Sequence, residues 1–174
     1  MPAGPGHARH LSADSRLIAG AMSGTSGDGV DVAIVRVEGS GLQMSARLLH
    51  HHHIPFTAQI RQALFAVRDT QQLLLSDLAR LGREISLTYA GAVNESLAAA
   101  NLHAGDLSAI AAHGQTLYHN PPNTIQWFDP SLVAAEVGKV LVNLFPVRVL
   151  GRQLGIDGHR LLHGRVHRVL REAE

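Results

Sequence analysis

Nine consecutive residues, Ser23-Gly-Thr-Ser-Gly-Asp-Gly-Val-Asp31, bring together three glycines, three hydroxyls and two carboxylates. Gly24, Gly27 and Gly29 give the backbone access to positive φ, so the chain can reverse direction here. A turn of this kind aims successive N–H groups at one point, and Ser23, Thr25 and Ser26 add hydroxyl donors. An anion, most usefully a phosphate, fits such a nest. Asp28 or Asp31 could then orient a water on Mg²⁺, a hard cation that keeps several waters. Val30 and Asp31 close the segment. It is not a Walker loop, since Gly-Lys-Ser/Thr is missing and no helix follows. A glycine-rich hairpin without chemistry has the same composition, because Gly and Asp favour turns anyway.

A second constellation is His113-Gly-Gln-Thr116, with His119 close behind. It follows a stretch of strand character, and strand exits in α/β sheets face ligand clefts. His113 and Gln115 each offer donor and acceptor atoms that suit sugar hydroxyls, and Thr116 and His119 adjoin them. The plain alternative is a structural histidine and a turn. His50–His53 invites a metal reading, but neighbours on a strand alternate sides. His50 with His52, or His51 with His53, can share a face, yet no carboxylate follows in sequence. A solvated strand end is the simpler expectation.

The elements that must position these groups can be read from periodicity. Residues 17–22 form a short apolar run, and 30–37 a β-branched one of the kind found in buried strands. After the turn at 38–41, Leu42, Met44, Ala46 and Leu48 alternate with more polar residues. Three antiparallel strands in sequence are expected. Ile60, Leu64 and Val67 share a face of a helix with Thr57 as N-cap. A stripe from Leu74 to Leu97 predicts a long helix over about 71–100, bent at Gly82 or Gly91 and ended by Asn101 and Gly105. Strands are expected at 107–112 and 139–144, with 124–128 as a further candidate. Before the last strand, Asp129 and Pro130 start a helix through Val137. The order βββ–α–α–β–α–β describes a mixed α/β domain over residues 17–144. Residues 1–16 read as a flexible tail. Residues 145–174 are arginine-rich, are interrupted by Gly151, Gly155, Gly158 and Gly164, and lack a tidy apolar face.

Composition bounds the function. Of 174 residues, 45% are apolar and 17% charged, as in soluble globular proteins. A net charge of +1 provides no field to draw in nucleic acid or an anionic membrane, so neither is an expected partner. The arginine-rich end lacks the interleaved aromatics of a nucleic-acid surface. Cysteine is absent, which removes disulfides and thiolate sites. The first sixteen residues contain no apolar core of a secretion signal, and no run reaches the roughly 18 apolar residues of a membrane span. A cytoplasmic protein is the expectation.

Three strings together resemble a known family. Met22-Ser-Gly-Thr-Ser-Gly-Asp-Gly-Val-Asp31 resembles the first phosphate motif of the anhydro-N-acetylmuramic acid kinases. His113-Gly-Gln-Thr116, with His119 and Pro121, resembles a second signature. Thr124-Ile-Gln126 followed by Asp129-Pro-Ser-Leu-Val-Ala-Ala-Glu136 resembles a third. The resemblance covers residues 16–144. It implies the N-terminal lobe of the actin/hexokinase/Hsp70-like fold, built on a ribonuclease-H-like mixed sheet with helices. It also implies ATP and Mg²⁺ as cofactors, ATP phosphates on residues 23–31, and a small sugar as the other ligand. The implied reaction is phosphorylation with ring opening of 1,6-anhydro-N-acetylmuramic acid to N-acetylmuramic acid 6-phosphate, a step in peptidoglycan recycling.

Departures from the family pattern accompany the match. Family members continue with a segment like D-F-R-x-x-D-x-A-x-G-G-Q-G-A-P-L, whose second Asp is the catalytic base. The corresponding text here, Asn143-Leu-Phe-Pro-Val-Arg-Val-Leu-Gly-Arg-Gln-Leu-Gly155, has neither aspartate, and Asp157 stands in no matching context. Family proteins are also about twice as long, and the abrupt change to arginine-rich text suggests a shifted reading frame or a truncated gene. No catalytic residue is therefore assigned, and the isolated chain is expected to be inactive. A homodimer or a separately encoded partner lobe could complete it, as in a split kinase. A non-catalytic lobe that binds phosphate or sugar is the alternative.

Overall fold

The computed structural model describes residues 15–70, 72–120 and 122–144. Seven strands and three α-helices follow the order β1 (Ser15–Met22), β2 (Gly29–Glu38), β3 (Ser45–Pro55), α1 (Ala58–Asp69), α2 (Leu75–Ala99), β4 (Ala109–His113), β5 (Gln115–Asn120), β6 (Asn123–Trp127), α3 (Pro130–Val137) and β7 (Leu141–Asn143). Five strands form one sheet in the order β3-β2-β1-β4-β7, and β5 and β6 form a separate hairpin. The first three strands are antiparallel, while β4 and β7 continue the sheet in parallel with β1. This mixed sheet with helices matches the expected fold class. Ser15 and Arg16, read from the sequence as part of a tail over residues 1–16, belong to β1, and the rest of that segment lies outside the described residues. The reading of residues 145–174 lies outside the described residues.

The strands form where apolar side chains can alternate inward. Leu17, Ala19 and Ala21 of β1 and Val30, Val32 and Ile34 of β2 are buried. Helix α2 covers β1, β2 and β3, with Leu81, Ile85, Tyr89, Ala92, Val93 and Leu97 turned into the core. Burying a side chain of this size stabilises by about 1.5–3 kcal/mol, so this interface is a main contributor to stability. Helix α1 begins as expected at Thr57, whose hydroxyl accepts from the Ile60 N–H at 3.3 Å. Helix α3 begins as expected at Asp129, whose carboxylate accepts from Ser131 and Leu132.

Helix α2 ends in a Schellman motif. Asn101 takes φ 54°, and the Leu102 N–H reaches the Leu97 carbonyl at 2.9 Å. Gly82 lies within an unbroken α2 and has a packing role there. A Cβ there would lie 2.6 Å from the indole nitrogen of Trp127, which donates to the Leu78 carbonyl at 3.0 Å.

Two local expectations change. Residues 115–120 form a strand that the sequence did not announce, since buried Gln115 and Thr116 and a register shift before Tyr118 spoil the two-residue alternation. His50–His53 is not a strand end but the interior of β3, paired with residues 31–34. A register shift opposite Ile34/Val35 accommodates Leu49 as an extra residue and sets which histidine faces which way.

Candidate functional site

The glycine-rich segment is the connection between β1 and β2, lying beside the end of β4, where Met22 pairs with His113. Its crown is a four-residue turn, with the Gly27 N–H donating to the Gly24 carbonyl at 3.3 Å. Of the three glycines, only Gly27 uses positive φ, at 63°. Gly29 is required for a different reason. A Cβ there would stand 2.3 Å from the Ile54 carbonyl oxygen, so β2 and β3 could not approach. Val30 is buried in the core. The Asp28 carbonyl is held by the Phe56 N–H at 2.9 Å, which fixes the base of the loop against α1.

The hydroxyls divide their tasks. Ser23 is buried and donates to Gln115 Oε1 at 2.5 Å. Ser26 donates to the Asp28 carboxylate at 2.8 Å. That bond is the main reason the Asp28 carboxyl sits below the ordinary aspartate range; the small burial of the group works in the opposite direction. Thr25 is exposed at the crown. The Thr25 and Ser26 amides take no partner among the described residues, and together with the Thr25 hydroxyl they are the donors left for an anion.

The second motif lies beneath the first. Gln115 is fully buried, and its Nε2 donates to the Gly24 carbonyl at 3.0 Å and the Thr116 carbonyl at 3.2 Å. Its amide is thus spent inside the protein, where it props the loop. Tyr89 from α2 donates to the His113 carbonyl at 2.7 Å. Burial pushes the Tyr89 phenol well above its ordinary value, while contact with Ser23 works the other way. It therefore stays a neutral donor. Thr116 exchanges hydrogen bonds with the Gln126 amide at 3.0 and 3.2 Å, so the third motif joins the second. His119 is exposed, and its Nδ1 lies 2.9 Å from the Thr124 hydroxyl across the hairpin. His113 ends β4, half-buried.

Two groups of residues escaped the sequence reading. Arg68, near the end of α1, donates to the Thr116 carbonyl at 2.9 Å, and its guanidinium lies against Gly27. Only its position in an amphipathic helix entering the site could have marked it. The carboxylates absent after His50–His53 come from other elements. His51 and His53 approach Asp31 Oδ1 at 3.5 and 3.0 Å, and His52 lies 3.9 Å from Glu95 of α2. Among the described residues no group of three such side chains has a geometry able to hold a metal ion. No helix there is long and apolar enough to cross a membrane.

The sheet order and the three antiparallel strands that open it are consistent with the N-terminal lobe of the actin/hexokinase-like class. Comparison with known proteins narrows the class. The family model for anhydro-N-acetylmuramic acid kinase matches residues 16–162, continuing past Leu144, and the chain belongs to that family. A Bacillus cereus (strain AH820) protein named anhydro-N-acetylmuramic acid kinase is 39% identical over 139 residues, covering 74% of this chain and 35% of the relative. A Bacillus thuringiensis subsp. konkukian protein of the same name is 38% identical over the same shares. The chain thus spans about a third of the length of the curated relatives it matches.

Proposed function

We propose that this chain provides the phosphate-gripping lobe for ATP-dependent phosphorylation of 1,6-anhydro-N-acetylmuramic acid, with ring opening to N-acetylmuramic acid 6-phosphate. The observation that carries the reading is the support beneath residues 23–31. Ser23 and Gln115 hold the loop from below, Tyr89 fixes the adjacent His113 carbonyl, and the Thr25 and Ser26 amides are left at the crown. Phosphoryl transfer relies on positioned donors rather than covalent chemistry, and rigid placement is what such a network supplies. The names of the relatives support the sugar, and a cytoplasmic role in peptidoglycan recycling follows from that substrate.

Mg²⁺ would supply charge neutralisation at the phosphates. Asp28 suits it better than Asp31: it is exposed, ionised and near the crown, whereas two histidines already meet Asp31. Any such contact would run through water. His113 and His119 remain candidates for the sugar. Thr116 and Gln115 act by holding the loop and the hairpin.

No base is assigned. Within the described residues Asp28 is tied to Ser26, Asp31 faces histidines, and Asp129 caps a helix. A base, an adenosine pocket and a second phosphate contact would come from elsewhere, whether residues beyond Leu144, a second copy or a separate lobe. Titrating labelled chain with Mg²⁺–ATP tests the reading. The Thr25, Ser26 and Gly27 amides should shift first, and weakly, since much of the ligand stays wet. An ADP-release assay with the anhydro sugar should run below about a tenth of a full-length relative's rate, the loss expected without general-base catalysis. Shifts confined to the His113 region would refute the loop assignment.

A further inference from the structure

We propose that Arg68 is a phosphate ligand of the glycine-rich loop, supplying a fixed positive charge that the loop itself lacks. This rests on the reading of residues 23–31 as a phosphate site. Both terminal nitrogens of the guanidinium stand 3.6 and 3.7 Å from where a Gly27 Cβ would be, so the charge lies against the turn at van der Waals distance. One nitrogen donates to the Thr116 carbonyl at 2.9 Å, and the group sits 5.6 Å from the Phe65 ring centroid. Those two contacts hold the side chain across the gap between α1 and β5.

The guanidinium has five N–H donors and cannot lose its charge. Among the described residues no carboxylate lies within 4.0 Å of it. A half-buried cation with one carbonyl partner is under-compensated, and the neighbouring crown amides also want an anion. A basic residue in the last turn of a helix also complements the helix dipole. That role would leave the side chain over the end of α1, whereas here it reaches the neighbouring strand and the loop. Arginine forks match phosphate oxygens bidentately, so a phosphoryl group at the crown, beside Arg68, would satisfy both the guanidinium and the Thr25 and Ser26 amides.

The test uses the full 174-residue chain, with Mg²⁺–tripolyphosphate as probe, for wild type, Arg68→Met and Arg68→Lys. In wild type the Thr25–Gly27 amides and the Arg68 side-chain N–H should shift together. Arg68→Met should weaken binding about tenfold or more and flatten its salt dependence. Arg68→Lys should fall between the two. Silent loop amides in wild type would sink the phosphate-loop reading itself. Shifting loop amides with Arg68→Met binding within twofold of wild type would overturn the role of Arg68 alone. Equal losses in Met and Lys variants with unchanged salt dependence would also overturn it, showing that the side chain only braces Thr116.

Discussion

Ser23 and Gln115, 92 positions apart, are joined by a buried 2.5 Å hydrogen bond, and the same carboxamide holds the Gly24 carbonyl. Two motifs that look independent along the chain are therefore one structure. The first presents donors at the surface, and the second fixes the angle at which they are presented. A loop on this foundation loses little further entropy on meeting a ligand, which is the advantage of preorganisation.

That coupling is measurable. Gln115→Leu leaves the buried Ser23 hydroxyl unpaired and should cost about 1–3 kcal/mol of stability in urea unfolding. Ser23→Ala strands the Gln115 oxygen and should cost a similar amount. The double variant should lose less than the sum of the two, by about 0.5 kcal/mol or more. Strict additivity would mean that the two side chains do not act together.

The Ser26–Asp28 contact should show in titration. Because its folded pKa is depressed, Asp28 binds its proton only below the pH at which an unfolded aspartate does. Its contribution to stability is full above the unfolded pKa and is lost as pH falls through the folded one. Carboxyl ¹³C shifts followed against pH should give Asp28 a midpoint below the ordinary range, and Ser26→Ala should raise it. A midpoint unmoved by that substitution would place the cause elsewhere.

Two glycines of α2 should respond with opposite signs to the same change. Gly91 faces open space, so Gly91→Ala should stabilise by about 0.5–1 kcal/mol through backbone entropy alone. Gly82→Ala drives a methyl group into an indole anchored at Leu78, and overpacking of this kind costs about 1–3 kcal/mol. Thermal melts of the two variants should bracket wild type. A stabilised Gly82→Ala would mean that Trp127 is free to move away.

Much of this molecule is written locally. The Thr57 and Asp129 caps, the inward stripe of α2 and the β-branched β2 depend on residues within a few positions of each other, and the described elements carry them as expected. The glycine and hydroxyl content of residues 23–31 likewise marks a turn before any tertiary contact is known. What the sequence could not decide is where each polar group is spent. Gln115 reads as a group for sugar hydroxyls until the start of β5 sets it beneath Gly24. Arg68 reads as an ordinary helix-end cation until α1 and β5 bring it to Gly27. His51 and His53 lack a carboxylate in sequence and meet one only because the β2–β3 register sets Asp31 opposite His53. Propensity and periodicity act over a turn or two of chain, whereas a hydrogen-bond partner is chosen by strand register and helix packing. Those depend on pairings among residues tens of positions apart, and only the folded sheet settles them.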